Sequence, residues 1–144
     1  PEQWMHQVHA RANHPLWFAG HMGVSDNFFI SMIAPEKAWK IAEFAEKFGP
    51  GSQPTNNASD YPPPEEVLDF MRHRRNVLIS LLDGIREEEL EPPTPAGSPE
   101  FLRDWGSVFR VASWHEGIHS GQLSVCHRAL GNAPLMTGPP RRRD

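Results

Sequence analysis

The sequence predicts an all-helical fold, a bundle of three long helices and one short one. Prolines and glycines gather into three breaks, Gly49–Pro64, Pro92–Pro99 and the stretch from Gly131 onward. Each opposes helix for its own reason, proline by lacking a backbone donor and glycine by excess backbone freedom. Between the breaks apolar residues recur at spacings of three and four, and no segment alternates like a half-buried strand between hairpin turns. A length of 144 residues suits one core and not two, so residues 1–144 are read as a single domain.

Glu2 to Ala12 is too short and polar to be a long helix. The first long helix opens with Asn13 as its cap and Pro15 in the first turn, and runs to about Ile33 before Pro35. Trp17, Phe18, His21, Ser25, Phe28 and Met32 share one face of it. A shorter amphipathic piece, Pro35 to Phe48, carries Trp39, Phe44 and Phe48 and stops at Gly49. From Pro64 to about Gly84 the stripe is Val67, Phe70, Met71, Arg74, Val77, Leu78, Leu81 and Leu82. Glu65 and Glu66 sit in its first turn, where the helix dipole favours them. The last helix is expected to start at Ser98 and Pro99 and to end at Gly131. Its stripe is Val108, Val111, Ala112, His115, His119, Gln122, Leu123, Cys126 and Leu130.

Composition narrows the function classes. Hydrophobic residues at 38% and charged residues at 22% describe a soluble chain. No run approaches the roughly 18 apolar residues a membrane span needs. Fourteen basic against eighteen acidic side chains give a net charge of −4, which argues against nucleic acid because phosphate contacts demand a clustered positive face. The basic run at the very end, Arg141 to Arg143, reads as a solvated tail. A lone cysteine, Cys126, cannot form an internal disulfide, and the start shows no signal-peptide pattern, so a reducing cytoplasm is expected. The chain begins at Pro1 and not at methionine, which leaves room for upstream residues.

Three of the eight histidines fall on apolar stripes, and a buried imidazole without a partner is costly. His115 and His119 are four apart, one above the other on a helical face, with Cβ atoms about 5–6 Å apart. His21 holds the corresponding place on the first long helix. Alone, His21 reads as a hydrogen-bonded core histidine. The pair changes that reading, because two imidazoles stacked on an apolar face have no other obvious common partner. If the two helices are neighbours, three neutral imidazoles converge as a three-histidine metal site with an open fourth position requires. Gln122, one turn on, is placed to orient a bound water or ligand. The remaining histidines are weaker candidates: His14 is two turns from His21, His6 and His9 lie in a polar segment, His73 stands among arginines, and His127 is off the stripe.

His115-Glu116-Gly117-Ile118-His119 also matches the H-E-x-x-H pattern of zinc proteases, in which the glutamate is the general base. That reading lacks a third ligand downstream other than His127, and the chain offers no strand on which to pair an extended peptide. Glu116 points about 100° away from the histidines, as a residue supporting the site or lying on the surface would.

The runs Asn13-His14-Pro15-Leu16-Trp17-Phe18-Ala19-Gly20-His21, Trp114-His115-Glu116-Gly117-Ile118-His119-Ser120-Gly121-Gln122-Leu123 and Arg128-Ala129-Leu130-Gly131 resemble the DinB-like family of damage-inducible metalloenzymes. Phe48-Gly49 and Tyr61-Pro62 add to the likeness. The resemblance implies a four-helix bundle with one long crossover and a divalent metal, zinc or nickel, held by His21, His115 and His119. The wider group includes transferases and isomerases that use low-molecular-weight thiols, and the amino-terminal domain of ergothioneine-forming sulfoxide synthases. Its first long helix would precede Glu2–Ala12 and has no counterpart here, so either the chain is truncated at its start or a partner supplies that wall. Dimeric relatives, and the apolar wall such an absence would leave, make a homodimer the expectation.

The expected function is a metal-dependent thiol S-transferase acting on a small thiol and an electrophile, with Gln122 and Glu116 as the further site residues. The alternatives are a hydrolase using metal-activated water, and a non-catalytic metal-binding stress protein.

Overall fold

A computed structural model describes residues 2–135; the tail arginines, Arg141 to Arg143, lie outside them. Four α-helices are present among these residues: α1 (Pro15–Ile33), α2 (Ala42–Phe48), α3 (Pro64–Asp83) and α4 (Trp105–Ala129). Short 3₁₀ turns join them, and the only strand-like pairing among the described residues is an isolated bridge between Pro93 and Asp104. The all-helical expectation holds, with three long helices and one short one.

Helix α1 is the element against which α2, α3 and α4 all pack. Its sequence explains this: apart from Asp26 it carries no acidic or basic side chain besides His21, and a helix that is apolar all round belongs in the interior. The expected single buried face is therefore corrected to burial on nearly every side. Phe28, assigned to that face, is instead exposed. The cap is also one residue later than expected. His14, fully buried, accepts the Trp17 backbone N–H at Nδ1 (3.0 Å), and Pro15 takes the first helical position, where its missing N–H costs nothing. Glycines let neighbours approach α1 closely, since a Cβ at Gly20 would run into the Phe48 ring.

The piece expected as one helix over Pro35–Phe48 is broken. Only Pro35–Lys37 (3₁₀) and Ala42–Phe48 are helical. Asn27 on α1 causes the break by bonding both backbone groups of Trp39: Oδ1 accepts its N–H (2.9 Å) and Nδ2 donates to its carbonyl (3.1 Å). Arg74 of α3 locks the same corner. It donates to Asn27 Oδ1 (3.2 Å) and the Lys37 carbonyl (2.9 Å), with its guanidinium 3.8 Å from the centre of a Trp39 ring.

Helix α4 begins later than expected, at Trp105 and not at Pro99. Asp104 and Ser107 form a capping box, with Asp104 Oδ1 accepting the Ser107 N–H (2.6 Å) and Ser107 Oγ accepting the Asp104 N–H (3.0 Å). Backbone bonds from Thr94 to Arg103 and from Trp105 to Pro92 hold the preceding chain extended, so Pro99 opens only a 3₁₀ turn at Glu100–Leu102. At the other end the expectation holds: Gly131 follows the helix with φ +82°, a conformation glycine adopts without strain.

Two buried clusters flank the middle of α1. Leu16, Trp17, Phe18, Phe48, Val67, Phe70 and Cys126 form one; Phe29, Ile30, Ile33, Leu78, Leu102, Val108 and Ala112 form the other. Ser25, Asp26 and Asn27, buried and polar, lie on α1 between them. No described helix is long and apolar enough to cross a membrane.

Candidate metal centre

His21 of α1 meets His115 and His119 of α4 at one point, with one ligand atom from each within 4.8 Å of the others. The Nε2 atoms of His21 and His115 are 3.2 Å apart, and those of His115 and His119 are 3.0 Å apart. Nitrogens about 2.0–2.1 Å from a tetrahedral ion stand about 3.3–3.4 Å from one another, so these two pairs already hold near-ligand spacing.

Hydrogen bonds fix which nitrogen faces the shared point. A carbonyl oxygen can only accept, so His21 carries its proton on Nδ1 and donates to the Phe48 carbonyl (2.7 Å). His119 does the same through Nδ1–H to Gln122 Oε1 (2.7 Å). In both rings the Nε2 lone pair is left aimed inward. Neutral rings would leave these lone pairs crowded against one another, since His115 Nε2 has at most one proton to offer two acceptors; a cation satisfies all three. A backbone carbonyl and a side-chain amide behind the ligating rings are the supports that set tautomer and orientation at metal-binding histidines. His115 Nδ1 is buried and has no hydrogen-bond partner among the described residues.

The rings are also packed. Trp17 stacks on His21 with centroids 4.4 Å apart and planes 11° from parallel, and its indole N–H donates to Ser52 Oγ (2.8 Å). Phe29 stands edge-on to His115 and Phe18 lies beside His119. Electrostatics favour the neutral, ligating form. Burial lowers His21, with the Phe48 carbonyl opposing and His119 reinforcing. Burial, then the charges of His119, His21 and Arg75, push His115 down to about 4.

The structure thus brings together the three expected ligands and places Gln122 behind His119. It places Glu116 elsewhere, in an ion pair with Arg75 of α3. Arg75 also donates through Nε to Asp26 Oδ2 (2.7 Å) and through Nη2 to Asp26 Oδ1 (3.2 Å), so one guanidinium ties α3 to both α1 and α4. Asp26 has no solvent exposure; burial pushes its carboxyl up to about 6, Arg75 pulling it down and Glu116 pushing it up. His6, His9, His14, His73 and His127 are not in the cluster. Cys126 is buried, its thiol pushed up by burial and directed to the Asn13 carbonyl (3.8 Å).

Sequence reasoning missed the Phe48 carbonyl and the Asp26–Arg75–Glu116 network. The carbonyl leaves no side-chain signal. Asp26 does: a carboxylate inside an otherwise uncharged helix is almost never buried unpaired, and arginines sit on and beside the stripe of α3.

A DinB superfamily model matches residues 1–123, a span that includes all three histidines and Gln122. No curated protein and no solved structure matches the chain. With most of its length matched and the helical architecture in place, the chain belongs to the DinB superfamily.

Proposed function

We propose that the protein is a metal-dependent thiol S-transferase whose divalent ion, zinc or nickel, is held by His21, His115 and His119. The observation that supports it is the convergence of three Nε2 atoms, two of them with their Nδ1 protons already committed elsewhere. A divalent ion held by these three neutral imidazoles would supply Lewis acidity at this position, favouring the nucleophilic thiolate form of a small thiol. The chain's own groups prepare that position. Phe48 and Gln122 hold two rings in their ligating tautomer, Trp17 covers His21, and Arg75 ties α4 through Glu116. In the reaction, sulfur forms a bond to the electrophile's carbon, the leaving group departs with the bonding pair, and the thiol proton passes to solvent.

A hydrolase using metal-activated water is the competing reading, and Glu116 is where the two part. A base must reach the water it deprotonates, and this carboxylate is engaged with Arg75. Peptide cleavage is therefore not expected. We also carry the homodimer as part of this proposal, with Ile118 and Val125 of α4 as exposed apolar side chains for such an interface.

The test is elemental analysis of the purified protein, followed by a panel of low-molecular-weight thiols with an aryl halide. Stoichiometric metal and chelator-sensitive loss of thiol are expected. Metal-free protein after loading, or chelator-sensitive proteolysis of unstructured peptides, would overturn the proposal.

A further inference from the structure

A groove of about 730 Å³ opens between α1 and α4 and reaches His21 and His115, two of the three histidines of the centre. That volume lies within the range, about 300–1,000 Å³, typical of small-molecule sites. Its walls are aromatic: Phe28 and Phe29 from α1, Trp114 from α4, and Trp39 and Phe101 from the connecting segments. Four of these are substantially exposed, Phe28 at 42%, Trp39 at 48%, and Phe101 and Trp114 at 65% each. Among the described residues, no lysine, arginine, aspartate or glutamate lines the groove.

The polar side chains there are largely spent. Asn27 is committed to the Trp39 backbone and to Arg74, and Ser31 donates to the Phe28 carbonyl (2.6 Å). What remains on offer is aromatic faces in a concave, uncharged setting. Along the aromatic walls, away from the histidines, an ionised group would be desolvated with no partner facing it, whereas a flat apolar ring gains from both area and stacking. Exposed aromatic patches of this kind mark binding surfaces. Here the inner end of the patch is formed by His21 and His115, so whatever fills the groove lies beside two of the three histidine rings.

We propose that this groove seats the substrate on which the centre acts, and that the part of the substrate held between its walls is an uncharged aromatic ring system. The inference rests on the reading of the three histidines as a metal site.

It is tested on the full chain with a matched pair of fluorescent probes, phenylnaphthylamine, which is uncharged, and its sulfonated counterpart, anilinonaphthalene sulfonate. Metal-free protein should bind one phenylnaphthylamine per chain, at least tenfold more tightly than the sulfonate. Ala45→Trp adds bulk at an exposed position lining the groove, and Phe28→Ala removes a wall; each should weaken binding at least tenfold, with circular dichroism showing the fold retained. One equivalent of nickel should quench the bound probe, and should fail to do so in His119→Ala, which leaves the lining intact.

Probe binding that ignores Ala45→Trp and Phe28→Ala, or that prefers the sulfonate, would overturn the groove while leaving the metal site standing. Probe binding that is lost on dilution-reversible dimerisation would show that a second copy fills the groove instead. Groove-dependent binding in a protein that takes up no nickel would overturn the metal reading and the assigned substrate with it.

Discussion

Helices α1 and α4 contribute to the same centre from opposite settings. Helix α1 buries 15 of its 19 residues, whereas α4 buries 4 of 25, so His21 is positioned by the whole fold and His115 and His119 by one helix lying against it. The supports differ accordingly. His21 is held by a backbone carbonyl and a stacked indole, both buried or nearly so. His119 is held by Gln122, a side chain one turn along its own exposed surface. The cluster therefore has one ring fixed by packing and two whose placement depends on how firmly α4 is kept against α1. The Arg75 bridge to Asp26 and Glu116 is the polar link that keeps it there.

The largest expected effect is on the ion. His115→Ala and His119→Ala should each abolish stoichiometric metal binding, since each removes one of only three protein ligands; equal metal content in wild type and variants by elemental analysis would sink the site. His21→Ala should abolish it too. The comparison sharpens in the metal-free proteins, where losing the buried ring beneath Trp17 should cost about 2 kcal/mol or more of stability. Losing either half-buried ring on α4 should cost much less. Equal destabilisation by all three would mean the two helices hold their ligands alike.

Next comes the link between them. Arg75→Met strands Asp26, which has no solvent exposure, without its cationic partner. Breaking a buried pair in this way costs about 3 kcal/mol or more. Denaturant unfolding should show this, and metal affinity should fall in parallel because Glu116 loses its anchor. The double variant Arg75→Met with Asp26→Asn should recover part of the stability. If instead Arg75→Met unfolds at the wild-type midpoint, the bridge does not hold α4.

The same contrast explains what was legible in the sequence. The three histidines could be read because a helical face is a local property: four-residue spacing on α4 and the apolar surroundings of His21 need no knowledge of the partner helix. Helix α3, with proline at its first position and a clear stripe, was also legible to within a residue or so. The failures share a cause. The break at Trp39 depends on Asn27, the late start of α4 depends on a bridge back to Pro93, and the tether of Glu116 depends on Arg75. Each involves a partner at least 11 positions away in the chain, beyond what helical periodicity registers.

A smaller effect is expected from Gln122→Ala. The amide hydrogen-bonds His119 alone among the three rings and acts by orienting it, so the ion should still bind, with affinity reduced about 10 to 100-fold. Gln122→Glu keeps an acceptor at the same place and should recover most of the loss. A null effect in a competition titration would mean that α4's backbone alone orients His119.

The smallest effect is a slope in pH, and it separates the helices once more. In the metal-free protein the Asp26 carboxyl lies at about 6 in the folded state against an ordinary 3.8, so the folded chain holds that proton longer. Its contribution is fully present below about pH 4 and is lost as pH rises towards 6. His115 runs the other way. Burial brings it to about 4 from an ordinary 6.5, so its contribution is present above that value and is lost as pH falls. Between pH 4 and 6 the two oppose each other and flatten the stability profile. Asp26→Asn removes only the falling limb, so stability should then climb with pH by up to about 1.4 kcal/mol per unit more than in wild type, the value for one proton. Midpoints of denaturant unfolding at pH 4.5 and 6 decide it. Parallel profiles would show that Arg75 keeps the Asp26 carboxylate ionised across the window, and that its burial on α1 carries no proton-linked cost.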